Sequence, residues 1–375
     1  MSYRNTHLTR AIIHLDHLTH NMGVLQKQAG KRLLYPAIKA NAYGHDAEII
    51  AKHLIHLGYT TLCTAHISEA AELVELGVDA TFIILSPTLA ENSDYLLDYD
   101  FQPVVCSQVQ LLALAQAARR RDKQITIHVK VDTGMGRMGV RPDQIRNFLD
   151  ECKAQPEIII GSICSHFPRA DEDDLSFSKT QLNSFIALKK NTEDYNIPLY
   201  HIANSAALFA LPEARLDAIR PGICIYGLKP SVSMVEPELN DLKPVMSLTS
   251  RITLIKEVAQ GTGISYGHMH CTDKPSLIAT IPMGYGDGLN RALSNRIEVL
   301  IGGERCRQVG RICMDQCMID VTPLRGKVAM GDEVVIIGTQ GSETITVDDV
   351  AKRQNTINYE IVTAISRRVP RIVAQ

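Results

Sequence analysis

Leu33-Leu34-Tyr35-Pro36-Ala37-Ile38-Lys39-Ala40-Asn41-Ala42-Tyr43-Gly44-His45-Asp46 opens as a short apolar run and stops on a lysine. A run of that length reads as a buried strand. The Asn, Gly and Asp that follow signal a turn into a helix. Burying an unpaired ammonium is costly. The cost has a use where the amine is a reagent, because desolvation lowers a lysine's pKa and a neutral amine can form a Schiff base. A strand-end lysine that merely reaches solvent fits the same residues, so the other strand ends must decide.

Outward from this stretch, short apolar runs alternate with helical patterns. The runs are Leu33–Ala40, Thr61–Ala65, Thr81–Leu85, Pro103–Cys106, Ile125–Val131, Ile158–Ser165, Leu199–Ala203 and Ala218–Ile225. Helical periodicity covers Leu15–Ala29, Asp46–Leu57, Ser68–Leu76, Ser107–Arg120, Asp143–Cys152, Thr180–Lys190 and Ser205–Leu211, and is weakest after Leu85. Eight strands, each followed by a helix or turn, predict an α/β fold, a (β/α)8 TIM barrel. The character changes at Pro230–Leu242, which is polar and proline-bearing like a linker. Beyond it β-branched runs separated by glycine predict a mostly-β domain. These runs are Ser250–Val258, Ser276–Ile281, Arg296–Ile301, Cys306–Val309, Gln316–Val321 and Glu333–Ile337, with one closing helix at Val347–Gln354. The expected domains are therefore 1–238, the barrel, and 239–375, the β domain.

The 375 residues are 45% apolar and 21% charged, enough for two cores. A net charge of −2 gives no reason to expect nucleic acid or an anionic membrane as a partner. No apolar run approaches the roughly 20 residues of a membrane span, and the first residues lack a signal-peptide core. The expected location is cytoplasmic. Nine cysteines without a CxxC pair suit free thiols in a reducing compartment, with no metal site.

In a barrel of this type the active site lies at the C-terminal ends of the strands. There the sequence puts Lys39, then Lys130, Asp132 and Arg137, then His166, then His201, Asn204 and Ser205, and finally Arg220 and Gly222. Singly, each has a plain structural alternative. Gathered on one rim, they point to chemistry. Asn204-Ser205 opens a helix and Gly222 permits close backbone approach, two features that bind anions. A Schiff-base lysine beside a phosphate cradle suggests pyridoxal 5′-phosphate.

The chain at this point resembles the bacterial alanine racemases, from Arg10 to about Ile372. The resemblance rests on Ala37-Ile38-Lys39-Ala40-Asn41-Ala42-Tyr43-Gly44-His45 and on Asp132-Thr133-Gly134-Met135-Gly136-Arg137. It continues through His201-Ile202-Ala203-Asn204-Ser205, Arg220-Pro221-Gly222, Ser265-Tyr266-Gly267, Gly284-Tyr285-Gly286-Asp287-Gly288 and Met314-Asp315, all in order.

The resemblance implies a homodimer with shared active sites that interconverts L- and D-alanine, with D-alanine going to peptidoglycan. It implies that Lys39 holds the cofactor and is one catalytic base, and that Tyr266 from the other subunit is the second. Two bases on opposite faces suit a reaction that removes a proton from one side of a carbon and returns it to the other. A phenol with a pKa near 10 needs help to ionise, and the resemblance gives that role to His201 and Arg220. Arg220 is also implied to face the pyridine nitrogen, to which it cannot readily give a proton. Tyr43, Asn204, Ser205, Gly222, Ile223 and Tyr359 match cofactor-binding positions, mostly at the phosphate. His166 matches a contact to the ring. Arg137 matches a contact to the cofactor's phenolic oxygen and, with Met314, to the substrate carboxylate. Lys130 matches a position often carbamylated, and Tyr285 with Tyr359 the narrowed entrance, with Asp315 a supporting residue beside Met314. The chain departs from the common pattern at Ser86-Pro87, Pro168-Arg169 and His268-Met269-His270. A racemase acting on serine or several amino acids, and a non-catalytic protein binding the same cofactor, are the alternatives. The bulk of Tyr285 and Tyr359 and the presence of the β domain weigh against them.

Overall fold

The alternating runs form a ring of parallel strands in the computed structural model, which describes residues 6–374. Strand β1 (Arg10–Ile13) lies outside that ring, in the sheet of the C-terminal unit. The ring consists of β2 (Leu33–Leu34), β3 (Thr61–Thr64), β4 (Thr81–Ile84), β5 (Gln102–Val105), β6 (Ile125–Lys130), β7 (Ile158–Cys164), β8 (Tyr200–His201) and β9 (Ala218–Ile219). Strands β3 to β8 pair in sequence order, and β2 pairs with β9. Backbone bonds beyond the short strands close the circle. Ile38 N–H reaches the Cys63 carbonyl, Cys63 N–H the Pro36 carbonyl, and Arg220 N–H the Ala203 carbonyl, at 2.8, 2.8 and 3.0 Å. The strands read as continuous apolar runs because both faces are covered. The helix Leu15–Ala29 shows the complementary pattern, burying Leu18, Met22, Leu25 and Ala29 as one stripe.

Three expected strands are shorter as regular ladders, the first at Leu33–Leu34, the seventh at Tyr200–His201 and the eighth at Ala218–Ile219. The first keeps pairing beyond its ladder, with Tyr35 N–H on the Ile219 carbonyl and Ala37 N–H on the Pro221 carbonyl. After Leu85 a short turn at Ala90–Asn92 leads into the helix Ser93–Asp98. Lys39 directly follows the paired stretch of the first strand and begins a turn in which Ala40, Asn41, Ala42 and Tyr43 all have φ near +50°. Left-handed backbone costs a non-glycine residue about 1–2 kcal/mol, so neighbours must impose it. Asn41 Oδ1 accepts from Ala47 N–H at 2.9 Å, Glu69 Oε1 accepts from Ala40 N–H at 2.6 Å, and Ala42 N–H donates to the Ile38 carbonyl. Tyr226 Oη donates to the Ala37 carbonyl just upstream.

Contacts divide the described residues into two units, Leu18–Ala42 with Ala47–Lys243, and a second that joins residues 6–17 and Tyr43–Asp46 to residues 244–374. The N-terminal segment joins the C-terminal unit because β1 finds its ladder partners there. That unit's sheet contains β10 (Met246–Arg251), β11 (Leu254–Val258), β14 (Ser276–Ile281), β15 (Glu298–Ile301), β16 (Glu304–Val309), β17 (Cys317–Asp320), β18 (Glu333–Gln340) and β20 (Arg371–Val373). Its order is β11-β14-β17-β16-β15-β18-β10-β1-β20, and β19 (Glu343–Ile345) pairs with β18. A separate hairpin joins β12 (Gly263–Ile264) to β13 (His270–Cys271). The closing helix Val347–Gln354 is followed by a second one, Asn358–Ala364, which the polar sequence around it concealed. Asn355 ends the first helix in a left-handed cap, and the chain restarts at Asn358.

Gly139 and Gly58 both have positive φ, but a Cβ at Gly139 would lie 2.3 Å from the Asp132 nitrogen, whereas at Gly58 it meets nothing. Gly139→Ala is expected to lower stability by about 2–4 kcal/mol, and Gly58→Ala by about 1–2 kcal/mol. Urea unfolding of the two variants side by side checks the difference.

Candidate active site

The barrel rim collects positive charge. Lys39 stands half-buried where the left-handed turn begins. Its amine is pushed below the usual lysine range by burial first and by the Arg137 charge second, with Glu69 opposing. Lys130 closes β6 and is buried, and burial with the charges of Arg220 and Arg137 brings it down to about 7 despite the nearby Cys164. Both amines therefore reach the neutral form more readily than an exposed lysine. Among the described residues no carboxylate is within ion-pairing distance of Lys39, Lys130, Arg137 or Arg220. Glu69 is occupied by backbone, its Oε2 accepting from Ala65 and His66 N–H groups. Asp132 is likewise spent on its own loop, its Oδ1 accepting from Gly134, Met135 and Gly136 at 2.8 to 3.1 Å. Burial opposes ionisation of that carboxyl, and the backbone N–H groups outweigh it and hold it low.

His166 follows β7 beside these cations. Burial, then Lys130, Arg220, Arg137 and Lys39, keep its imidazole neutral well below its ordinary range. The loop that carries it is pinned by Gln181, whose amide donates to the His166 carbonyl at 2.7 Å and to Thr133 Oγ1 at 3.0 Å. Arg220 is buried, donates to His201 Nδ1 through one terminal nitrogen and to the Ser165 carbonyl through the other. Asn204 caps the helix Ser205–Ala210 by accepting from Ala207 N–H at 3.0 Å. Ser205 Oγ accepts from Gly222 N–H at 2.8 Å, and buried Ile223 opens the turn Ile223–Tyr226 directly after it. The ends of β8 and β9 are thereby tied together as one small cradle. It offers the Ser205 hydroxyl and the start of the Ile223–Tyr226 turn, groups suited to an anion.

On the C-terminal unit, three loops are stitched into one patch. Tyr285 and Gly286 N–H groups donate to the Cys313 and Met314 carbonyls at 2.9 and 2.8 Å. Ser265 Oγ donates to the Arg311 carbonyl at 2.7 Å, bringing the Tyr266 turn alongside. Ser265, Gly267 and His268 all have positive φ, so Tyr266 sits on a strained turn, and its side chain is 72% exposed. Met314 and Tyr285 are also exposed, at 52% and 42%. Arg368 clamps the patch, reaching Asp315 at 2.8 Å and the buried Asp287 at 3.3 Å. In the same unit the Tyr43 and Tyr359 rings lie 6.1 Å apart.

Residues 13–230 match the family model "Alanine racemase, N-terminal domain", and residues 245–373 match "Alanine racemase, C-terminal domain". The chain belongs to the alanine racemase family. It is 41% identical to the alanine racemase of Clostridium novyi (strain NT), over 96% of this chain and 94% of that protein. The fold matches alanine racemase of Clostridium difficile 630 with a TM-score of 0.93 at 33% identity, covering 98% of this chain and 96% of that one. It also matches the alanine racemase of Bacillus anthracis solved with bound L-Ala-P, with a TM-score of 0.92 at 33% identity, covering 98% and 95%.

Seen against this family, several supporting residues had no signal in the sequence. Glu69 reads as an ordinary first-turn acid, yet it holds the Lys39 turn. Arg368 lies in a polar run and binds two carboxylates from distant loops. His128 did carry a signal, a histidine inside the apolar run Ile125–Val131. It is buried, and burial with the Arg220 charge takes it down to about 4. Its unfolded value is near 6.5, so between about 6.5 and 4 the unfolded chain takes up a proton that the native state refuses. Stability is then full above pH 6.5 and falls as pH drops toward 4, by about 3 kcal/mol for His128 alone. Urea midpoints across this window should fall more steeply in wild type than in His128→Gln.

Proposed function

We propose that the chain racemises alanine with pyridoxal 5′-phosphate held at the barrel rim. The observation that carries this is Lys39, a half-buried amine pushed toward neutrality on a cationic rim, within a chain that matches the family along nearly its whole length. The donor set fits the cofactor. Ser205, Gly222 and Ile223 suit its phosphate, with Asn204 fixing their helix, and Tyr43 and Tyr359 complete the phosphate contacts. Arg220 suits the ring nitrogen and His166 the ring itself. When bound, the cofactor acidifies the α-hydrogen of an attached amino acid.

The protein's own groups then do the rest. Lys39 would hold the cofactor, and its Nζ, when not so engaged, would take or return a proton on one face. Tyr266 of the partner subunit does so on the other face through Oη. Arg137 and the backbone N–H of Met314 orient the substrate carboxylate. Lys130, with an amine near neutrality at pH 7, can react with carbon dioxide, and the resulting carbamate would give Arg137 the anionic partner it lacks. His201 and Arg220 supply the positive field that favours a phenolate. Tyr285 and Tyr359 narrow the way in, and Asp315, paired with Arg368, steadies the Met314 loop.

A homodimer follows from the same reading. Tyr266, Tyr285 and Met314 form an exposed aromatic and thioether patch that gains from being covered, and a second copy's rim is the cover proposed here. No helix among the described residues is long and apolar enough to cross a membrane, and no group of metal-binding side chains occurs among them. A cytoplasmic role supplying D-alanine for peptidoglycan, with no nucleic acid or membrane partner, fits this chemistry.

Purified protein with added cofactor is expected to exchange the α-hydrogen of L-alanine in heavy water while optical rotation is lost. Lys39→Ala should abolish both. Tyr266→Phe should slow conversion from one enantiomer far more than exchange from the other. Rotation that persists in wild type, or exchange confined to serine, would refute the alanine assignment.

A further inference from the structure

Below the rim, Arg220 is the first member of a line of polar side chains that runs down through the barrel interior. His201 Nδ1 receives the Arg220 guanidinium. His201 Nε2 lies 2.8 Å from Ser162 Oγ, Ser162 Oγ lies 2.7 Å from His128 Nδ1, and His128 Nε2 lies 3.0 Å from Gln102 Oε1. The four residues stand on β8, β7, β6 and β5, stepping from the C-terminal end of the barrel toward its N-terminal end. Ser162, His128 and His201 are buried.

We propose that Ser162 and His128 are positioning residues for Arg220, because this chain of hydrogen bonds can point in one direction only and so fixes His201 as its Nε2–H form. The direction follows from the donors. A guanidinium has no acceptor, so His201 Nδ1 must present its lone pair and Nε2 must carry the proton. Ser162 Oγ accepts that proton's bond and passes its own hydrogen to His128 Nδ1. His128 then carries its proton on Nε2 and donates to Gln102 Oε1, which is an acceptor. The far end thus agrees with the direction imposed at the near end. A doubly protonated His201 would set N–H against N–H at Arg220. Burial and the Arg220 charge disfavour that cation as well, lowering His201 well below its ordinary range.

The backbone is shaped to complete the line. Pairing of β6 with β7 runs Ile127 opposite Ile160, then His128 opposite Ser162, so Gly161 is an extra residue in β7. Such a bulge re-aims the side chain after it, here Ser162 toward His128. A Cβ at Gly161 would lie 2.7 Å from Thr126 Cγ2 and 3.6 Å from His128 Cε1. The consequence for Arg220 is a fixed guanidinium plane, with one terminal nitrogen on His201 and the other on the Ser165 carbonyl. That consequence matters for catalysis only if the racemase assignment holds. The proton arrangement itself does not depend on it.

The test uses holoenzyme carrying 15N-labelled histidine, with the His201 ring signals assigned by their loss in His201→Gln. At neutral pH, His201 is expected to show an unprotonated Nδ1 and a protonated Nε2. Ser162→Ala should disturb that pattern and lower kcat about fivefold to thirtyfold, the range for one lost buried hydrogen bond. KM should change little, and Ser162→Thr should restore both the spectrum and most of the rate. A His201 with Nδ1–H or with both nitrogens protonated overturns the proposal, as does a Ser162→Ala spectrum identical to wild type. If Ser162→Ala does not fold, the wild-type spectrum decides alone. A correct spectrum in a protein that leaves alanine unchanged would sink the racemase assignment and spare the proton arrangement.

Discussion

Positive charge without carboxylate partners, held at the mouth of a barrel, is the constraint on which the rest of this molecule depends. Lys39, Lys130, Arg137 and Arg220 share one rim, and the nearby acids Glu69 and Asp132 are engaged by backbone N–H groups. Like charges at close range raise one another's cost. The amines respond by giving up protons more easily, and the histidines below and beside them stay neutral. A rim in this condition favours an anionic ligand and keeps a nucleophilic amine ready for it. Two lysines answer the same field to different degrees. Lys130, fully enclosed, is the more perturbed, and Lys39 remains within reach of whatever enters.

Holding a reactive amine in place requires backbone as well as charge. Four successive left-handed residues after Lys39 are a local penalty that no short-range preference would choose, and such strain persists only where the surroundings over-determine it. Asn41 and Glu69 through side-chain oxygens, and Ile38 and Ala47 through backbone groups, supply the constraint, with Tyr226 fixing the chain just before. The same turn delivers Tyr43 to the C-terminal unit, where it meets Tyr359. In the C-terminal unit the equivalent device is the Tyr266 turn, with positive φ at three of four positions and an aromatic side chain left exposed. Arg368 and the buried Asp287 stabilise the neighbouring loops, an ion pair that would be costly to break from one side.

The sheet positions explain why the polar residues inside the barrel are tolerated. His201, Ser162 and His128 lie on neighbouring strands and satisfy one another, so their burial carries no orphaned donor or acceptor. The extra residue at Gly161 is the only departure from regular pairing in that region of β7, and it falls where the line of hydrogen bonds needs it.

From residues alone, the alternation of apolar runs and helical stretches dictated a barrel followed by a β domain, because burial on both faces of a strand and on one stripe of a helix leaves a periodicity that no tertiary context can erase. The same holds for the rim residues, since a barrel's strand ends are countable from the sequence. Helix Leu15–Ala29 and helix Val347–Gln354 were legible for this reason. The membership of β1 in the distant sheet, the left-handed path after Lys39 and the second C-terminal helix were not, because each is imposed by partners far away in the chain. Nor were the roles of Glu69, Ser162 and Arg368. Their residue types are ordinary, and only the folded arrangement decides which donor meets which acceptor. Periodic burial is written locally, whereas hydrogen-bond direction, charge proximity and backbone strain exist only once distant segments are brought together.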